Sequence, residues 1–300
     1  MTIRGTQSDR KIEMNKDWTF CWAGDVNHPR ADISDAYKIN YNDSEWRKLN
    51  LPHDWSIEFD FNIEHSLVGS EAGYLDGGTG WYRKKLVLPQ EMKDKRIAIH
   101  FGGVYMDSTV YVNEKQVGKY PNGYMPFTYD LTDYIIADGV TENVIAVKVV
   151  NEQPSSRWYS GSGIYRDVEL IVTESVHVVE YGTFVTTPYI EEEYATGKVT
   201  MHIQTEVKNT SESDKQVVVR STLLDYKTNE VVAQAVESEV YTIAASQIDK
   251  VDQQMVVCEP KLWSTAEPNL YTMLTEVVVE GEVVDTYKTR CGFRWIKFDA

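Results

Sequence analysis

The chain has 300 residues, of which 42% are hydrophobic, and its formal net charge is −16. This hydrophobic share supports real cores and excludes a disordered or collagen-like chain. The acidic balance opposes binding to nucleic acid or to an anionic membrane, and the sequence has no apolar run typical of a transmembrane helix or a signal peptide. Cys21, Cys258 and Cys291 lie far apart without CxxC spacing, so we expect neither a zinc cluster nor a disulfide framework.

Residues 1–174 alternate between apolar and polar side chains, which predicts β-strands rather than helices. Turn residues such as Gly102-Gly103 and Asn122-Gly123 separate the strands. So many strands in about 170 residues favour a two-sheet jelly roll over a seven-stranded immunoglobulin sandwich. The predicted strands are 81–88, 96–101, 107–112, 144–149 and 168–172.

Residues 175–292 show a second series of alternating strands, which predicts an immunoglobulin-like β-sandwich and an all-β chain as a whole. This part has no cysteine pair with a tryptophan between them, so an antibody-type domain is not expected. The acidic run Glu191-Glu192-Glu193 is interpreted as a solvated loop rather than a metal site. The predicted strands are 176–185, 198–207, 216–224, 231–240, 250–257, 271–279 and 283–289.

A glycine-rich run occupies residues 73–80, directly before a predicted strand. A phosphate-binding loop would instead open a helix. We therefore expect a loop of close backbone approach at the sandwich edge, where Asp76 can accept hydrogen bonds from hydroxyl groups.

A second conspicuous loop covers residues 153–163, where Arg157, Trp158 and Tyr159 lie among serines and glycines. Such a loop can present a guanidinium group and aromatic planes to a ligand. In the alternative interpretation, Trp158 anchors the loop in the core and Arg157 or Arg166 pairs with a neighbouring carboxylate. Both readings stay open for different side chains, and no local Ser-His-Asp or Cys-His motif indicates a nucleophile.

Short motifs follow one another in a distinctive order along the chain. They are 52–55 (PHDW), 78–84 (GTGWYRK), 101–104 (FGGV), 110–113 (VYVN), 123–127 (GYMPF), 156–168 (SRWYSGSGIYRDV), 262–264 (LWS), 268–271 (PNLY) and 292–294 (GFR). In this order they resemble glycoside hydrolase family 2 over residues 15–298. The pattern is most similar to β-galactosidases, with β-glucuronidases and β-mannosidases as relatives.

The resemblance implies a jelly-roll sugar-binding domain, an immunoglobulin-like domain and then a (β/α)₈ barrel that carries the chemistry. Residues 293–300 would be the start of that barrel. Retaining hydrolysis requires two carboxyl groups about 5 to 5.5 Å apart, and in the family both are barrel glutamates. We therefore expect no catalytic residue here: the chain would be the inactive front part of a retaining exo-β-glycosidase acting on terminal β-galactosides.

By the same resemblance, the two conspicuous loops match segments that contact the sugar. Better-known members have Asn or Asp there, so the departure in this sequence leaves the sugar open. Arg166 and Asp167 are expected to serve the fold. The implied substrate-binding residues are Asp76, Ser156, Arg157, Trp158 and Tyr159.

Three Asn-Glu pairs invite comparison with the family's acid/base glutamate, which follows an asparagine. Asn113-Glu114 is interpreted as a hairpin turn, and Asn229-Glu230 lies between strands. Asn151-Glu152 is the one pair near a candidate ligand loop, where we expect a supporting rather than a catalytic role.

The expected partner is a carbohydrate, bound together with the absent barrel, and a homo-oligomer is left open. No metal or cofactor is expected in this part, although family barrels can bind Mg or Na. The compartment stays open: bacterial periplasm or extracellular if a signal was trimmed, otherwise cytoplasmic. The alternatives are a free-standing carbohydrate-binding or adhesion module, or the front half of a β-glucuronidase or β-mannosidase.

Overall fold

The computed structural model describes residues 10–25, 28, 30, 32–64, 69–153 and 161–297. Strands dominate these residues, which confirms the predicted all-β class. The chain divides into two compact units, residues 1–172 and 173–300. No helix in the described part has the length and hydrophobicity needed to span a bilayer.

The first unit is a two-sheet jelly roll. A six-stranded sheet has the order β3-β2-β4-β9-β6-β7, and a four-stranded sheet has the order β1-β10-β5-β8. The strands are β1 (Lys11–Glu13), β2 (Trp18–Gly24), β3 (Arg47–Leu49), β4 (Gly78–Val87), β5 (Arg96–Phe101), β6 (Ser108–Val112), β7 (Lys115–Tyr120), β8 (Phe127–Asp130), β9 (Glu142–Asn151) and β10 (Val168–Thr173). Short 3₁₀ turns occupy Ser34–Tyr37, Ser56–Glu58, Gly69–Ala72 and Gln90–Met92.

The centre of the larger sheet is the antiparallel pair β4 and β9. Inward-facing residues of this pair, such as Tyr82 and Val147, are fully buried in the core between the sheets. Gly78 pairs with Asn151 in the register, so the start of β4 and the end of β9 lie side by side. Loops that precede β4 and follow β9 therefore emerge at the same end of the sheet.

The second unit is an immunoglobulin-like sandwich. One sheet has the order β11-β12-β16, and the other has the order β14-β13-β17-β18, with β15 pairing on β13. The elements are β11 (Val176–Thr186), α1 (Ile190–Glu193), a 3₁₀ turn (Tyr194–Thr196), β12 (Lys198–Asn209), β13 (Lys215–Asp225), β14 (Val231–Glu237), β15 (Tyr241–Ile243), β16 (Ile248–Cys258), β17 (Tyr271–Val279) and β18 (Glu282–Cys291).

A buried amide links the two sheets of this sandwich. The side-chain nitrogen of Gln253 donates to the backbone carbonyls of Val219 and Val236, at 3.0 and 2.9 Å, and its oxygen accepts from the Ser221 hydroxyl at 2.8 Å. These hydrogen bonds offset the cost of removing the amide from water, so it can lie in the interior. Phe293 is also completely buried in this unit, with its ring 5.1 Å from that of Tyr271.

Two details differ from the sequence-based prediction. The predicted strand 231–240 is interrupted after Glu237, because the Ser238 hydroxyl accepts a hydrogen bond from the Val219 backbone N–H at 3.0 Å. The chain returns to strand geometry only at Tyr241. The acidic run expected to be a loop forms the short helix α1, since Ile190 is buried and the Glu193 carboxylate accepts the Thr200 backbone N–H and hydroxyl at 2.6 and 2.8 Å.

A buried ion pair holds the segment before β3 against the outer face of the six-stranded sheet. Arg83 on β4 is completely buried, and its Nε donates to the Asp43 carboxylate at 2.9 Å. The same guanidinium donates to the backbone carbonyls of Ala36 and Lys38. Because these acceptors belong to one segment, the arginine fixes that segment on the sheet.

We predict that Asp43→Ala destabilises the chain by about 3–5 kcal/mol, because it leaves the Arg83 guanidinium buried without its counter-ion. Urea unfolding followed by tryptophan fluorescence measures the change. As a control, Lys38→Ala removes the exposed ion pair with Asp35 and should cost about 1 kcal/mol or less. Equal stability of the two variants would contradict the structural role of Arg83.

Candidate functional site

The candidate site lies where the loop before β4 approaches the end of β9. Its centre is the backbone carbonyl of Gly77, which accepts hydrogen bonds from two indole N–H groups. Trp22 of β2 donates at 2.9 Å, and Trp55 of the loop after β3 donates at 2.8 Å. Two rigid side chains from separate segments thus hold one peptide group in place.

Glycine is required at position 77 by the close approach of β9. A Cβ built on Gly77 would lie 2.5 Å from the Asn151 carbonyl oxygen, which is shorter than van der Waals contact allows. The loop can therefore sit directly on the end of β9 only without a side chain at this position.

A relay of buried hydrogen bonds continues from Asn151 through two hydroxyls. The Asn151 amide donates to Ser162 Oγ at 2.7 Å, the two serine hydroxyls lie 2.6 Å apart, and the Ser56 hydroxyl donates to the Asp76 carbonyl at 2.7 Å. Because the Ser56 proton is used on Asp76, the proton between the hydroxyls comes from Ser162. The direction is therefore Asn151 to Ser162 to Ser56 to Asp76.

The Asp54 carboxylate links the loop that contains Ser56 to the segment that contains Ser162. Its Oδ1 accepts the backbone N–H groups of Ser56 at 3.0 Å and of Ser162 at 2.8 Å. Backbone bonds from Trp55 to Ser162 and from His53 to Ile164 run alongside, at 2.9 and 2.8 Å. The loop at 53–56 and the segment at 162–164 therefore form one rigid support beneath Asp76.

The half-buried side chain of Asp76 lies next to Asp25 and His28. Their potential ligand atoms all fall within 4.8 Å of one another. Asp25 Oδ1 also accepts the His28 backbone N–H at 2.7 Å and lies 3.1 Å from the His28 ring nitrogen. Two carboxylates and an imidazole at these separations can accept hydrogen bonds from the hydroxyls of a sugar. The same groups are also ligands of the kind that bind divalent cations.

His53, with its side chain largely buried, lies between β3 and β4 at the edge of this support. Arg47 donates to His53 Nε2 at 2.8 Å, and His53 Nδ1 lies 2.7 Å from the Tyr82 hydroxyl. His53 Nε2 also lies 3.2 Å from Glu58 Oε1, which accepts a hydrogen bond from Arg47 at 3.0 Å, so this edge of the ring faces both a cation and a carboxylate. Burial lowers the pKa of His53, with Arg47 adding to this effect and the nearby Glu58 carboxylate opposing it.

Of the sequence-predicted binding residues, the structure describes Asp76, which follows the buried Leu75 and directly precedes Gly77. Its role in binding sugar stays a prediction. The other four lie outside the described residues; they are Ser156, Arg157, Trp158 and Tyr159.

Two of the three Asn-Glu pairs lie in turns, and the third lies at the end of β9. Asn113 and Glu114 form the two-residue turn between β6 and β7, both with positive φ, which confirms the hairpin interpretation. Asn151 is buried in the relay, whereas Glu152 is exposed. Asn229-Glu230 lies in the turn between β13 and β14.

Sequence reasoning did not assign roles to Asp25, His28, Asp54 or Ser56. The motif at 52–55 was recognised only as a family feature, although an Asp two residues before a Ser is a common pattern for a side chain that accepts a nearby backbone N–H. Asp25 and His28 meet Asp76 only through the folding of β2 beside β4, and no local spacing reveals this.

Two family models match the chain. The model described as "Glycosyl hydrolases family 2, sugar binding domain" matches residues 12–174, and the model described as "Glycosyl hydrolases family 2" matches residues 176–294. The loops of the candidate site all belong to the first match.

Among similar proteins, the β-galactosidase BoGH2A of Bacteroides ovatus is 39% identical over 97% of this chain and 32% of its own length. A putative β-glucuronidase of Formosa agariphila is 36% identical over 98% of the chain and 26% of its own length. The crystal structure of a glycosyl hydrolase family 2 member from Bacteroides cellulosilyticus superposes with a TM-score of 0.84 at 34% identity, covering 96% of this chain and 36% of that one. The chain therefore spans about a third or less of these relatives.

We predict that Ser56→Ala destabilises the chain by about 1–3 kcal/mol, because it leaves the Asp76 carbonyl and the Ser162 hydroxyl without their shared partner. Chemical denaturation measures the effect. The matched control Ser44→Ala alters an exposed serine and should change stability by about 0.5 kcal/mol or less. If both variants unfold at the same denaturant concentration, the relay does not support the loop.

The lowered pKa of His53 predicts a dependence of stability on pH. Neutral His53 makes its full contribution to folding stability above the ordinary histidine pKa of about 6.5. This stability is lost as the pH falls through the lower pKa of His53 in the folded chain, because the ring must then be protonated in a buried site. Thermal unfolding between neutral and mildly acidic pH should show a steeper decline for the native chain than for His53→Gln. The control variant His202→Gln, in the second unit, should lose thermal stability with falling pH as the native chain does. If His53→Gln also loses stability as steeply as the native chain, His53 is not the group responsible.

Proposed function

This chain belongs to glycosyl hydrolases family 2, and from that premise we propose that it is the non-catalytic N-terminal part of a retaining exo-β-glycosidase. In this proposal the jelly roll supplies one wall of the sugar subsite and a barrel outside this chain supplies the acid/base and nucleophile. The supporting observation is the immobilised loop of Asp76, whose backbone is held at both Gly77 and Asp76 by buried donors.

The support beneath Asp76 matters because a substrate-positioning group contributes only when it is preorganised. Fixing a carboxylate before the sugar arrives avoids an entropic cost on binding. A carboxylate that accepts a sugar hydroxyl forms a charge-assisted hydrogen bond, which is stronger than one between neutral groups. Asp76 would therefore select a hydroxyl at one ring position of the terminal sugar.

Charge favours a neutral galactoside over a glucuronide in this subsite. Asp25, Asp54 and Asp76 lie within the candidate site. The cations near it in the described part of the chain are Arg30, with its guanidinium 4.9 Å from the Trp22 ring centroid, and Arg47, whose charge is paired with Glu58 at 2.7 Å. A sugar carboxylate at this wall would face net repulsion. We therefore propose a β-galactosidase rather than a β-glucuronidase for the whole protein, although relatives carry both names.

The 300-residue chain should not hydrolyse nitrophenyl β-galactoside by itself, because it lacks the acid/base and nucleophile pair that retaining hydrolysis requires. Release of nitrophenol over long incubation measures this. Turnover that co-purifies with the chain and disappears in Glu152→Gln or Asp76→Asn would overturn the assignment of catalysis to the barrel. Preparations of both variants are the matched controls for contaminating enzyme.

The choice of sugar is tested in the longer protein that carries this chain. We expect kcat/KM for nitrophenyl β-galactoside to exceed that for nitrophenyl β-glucuronide by about 100-fold or more, since two like charges in a partly buried site cost several kcal/mol. Steady-state kinetics at equal ionic strength give the ratio. A preference for the glucuronide would contradict the charge argument while leaving the family assignment unaffected.

A further inference from the structure

A second candidate binding site lies on the outer face of the sheet β11-β12-β16 in the immunoglobulin-like unit. Two cross-strand rows of the register place six side chains on this face, each row contributing one residue from every strand. The inward-facing neighbours Ile203 and Gln253 are buried beneath them. The six residues of this outer face are Thr186, His202 and Gln254 in one row and Phe184, Gln204 and Asp252 in the next.

The outer face forms a shallow depression of about 560 Å³ with an aromatic ring at one side. Phe184 lies within the edge strand β11 rather than in a loop, and it is 66% exposed. His202 in the adjacent row packs edge-on against Tyr189, with ring centroids 6.1 Å apart and an interplanar angle of 67°. An apolar ring and an oriented imidazole therefore stand next to each other above a rigid backbone.

The polar groups of the depression have defined directions. The Gln204 amide nitrogen donates to Asp252 Oδ1 at 2.9 Å. This bond fixes the amide, so the Gln204 carbonyl oxygen is directed away from the carboxylate and can accept a further hydrogen bond. Gln254 and Thr186 add groups that both donate and accept, which suits a ligand with several hydroxyls.

The charge of the face restricts its ligand. Among the six residues only Asp252 carries a formal charge at neutral pH. The next row along the strands holds Glu206 and Lys250, whose ion pair at 3.5 Å compensates both charges. The face therefore offers a carboxylate acceptor and no available cation in its two rows, which disfavours phosphates and uronic acids and favours a neutral polyhydroxylated ligand.

We propose that this outer face binds a short neutral oligosaccharide, as a second carbohydrate site separate from the subsite at Asp76. The C–H face of a pyranose would stack on Phe184, and its hydroxyls would be bound by Asp252, Gln204 and Gln254. The depression is open, so binding is expected at millimolar concentrations. Such a site would keep the protein close to polymeric substrate while a chain end occupies the catalytic subsite.

The test uses the whole 300-residue chain, isotope-labelled for NMR and titrated with lactose. We expect the amide signals of the six residues to shift together and to saturate in the millimolar range. Phe184→Ala should weaken binding about fivefold or more, because stacking is lost, and Asp252→Asn should have a similar effect, because a charge-assisted acceptor is lost. Val231→Ala, an exposed apolar residue on β14 of the other sheet, should leave the affinity unchanged.

Glucuronic acid serves as the charged comparison and should shift these signals much less than lactose at the same concentration. The proposal is overturned if lactose leaves the six signals unmoved, if Phe184→Ala binds as well as the native chain, or if glucuronic acid binds as strongly as lactose. It is also overturned if Phe184→Ala instead abolishes self-association seen by sedimentation, since the face would then be a contact between copies. Shifts at Asp76 alone would support the first subsite and contradict this one, so the two proposals fail independently.

Discussion

The peptide carbonyl of Gly77 is the point on which the candidate site depends. It receives two indole N–H groups, from Trp22 and Trp55, and it can lie against β9 only because residue 77 has no side chain. A buried carbonyl with two strong donors has its hydrogen bonding satisfied and little freedom to move. The relay from Asn151 holds the neighbouring Asp76 carbonyl in the same way. The backbone of this loop is therefore fixed before any ligand binds.

In our two proposals, each unit offers a different surface to a carbohydrate. The jelly roll presents acidic side chains at a loop end, on a support built from β2, β4 and β9, which suits recognition of one terminal sugar. The immunoglobulin-like unit presents a flat sheet face with an exposed ring at Phe184, which suits loose contact with a longer chain. In both places a buried amide beneath the surface residues is hydrogen-bonded to a serine hydroxyl, Asn151 to Ser162 and Gln253 to Ser221.

Long strands could be predicted because period-two alternation extends over many residues: 96–101 and 271–279 match β5 and β17 residue for residue. Strands of three or four residues, such as β1, β3, β8 and β15, are too short to show a period and were missed, and the longer strands β2 and β7 were missed as well. The glycine-rich run indicates Asp76, whose role in binding stays a prediction. The relay could not, because Ser56 and Ser162 are 106 residues apart in sequence and only the fold brings their hydroxyls together.

We propose that the immobilised loop positions Asp76 for a sugar hydroxyl, and steady-state kinetics of Asp76→Asn in the longer protein test this role. KM for nitrophenyl β-galactoside should rise about tenfold or more while the fold and thermal stability stay native, because one charge-assisted hydrogen bond to substrate is weakened. Asp94→Asn, an exposed carboxylate of the same unit, should leave KM unchanged. Native KM and kcat in Asp76→Asn would show that this carboxylate does not bind the substrate.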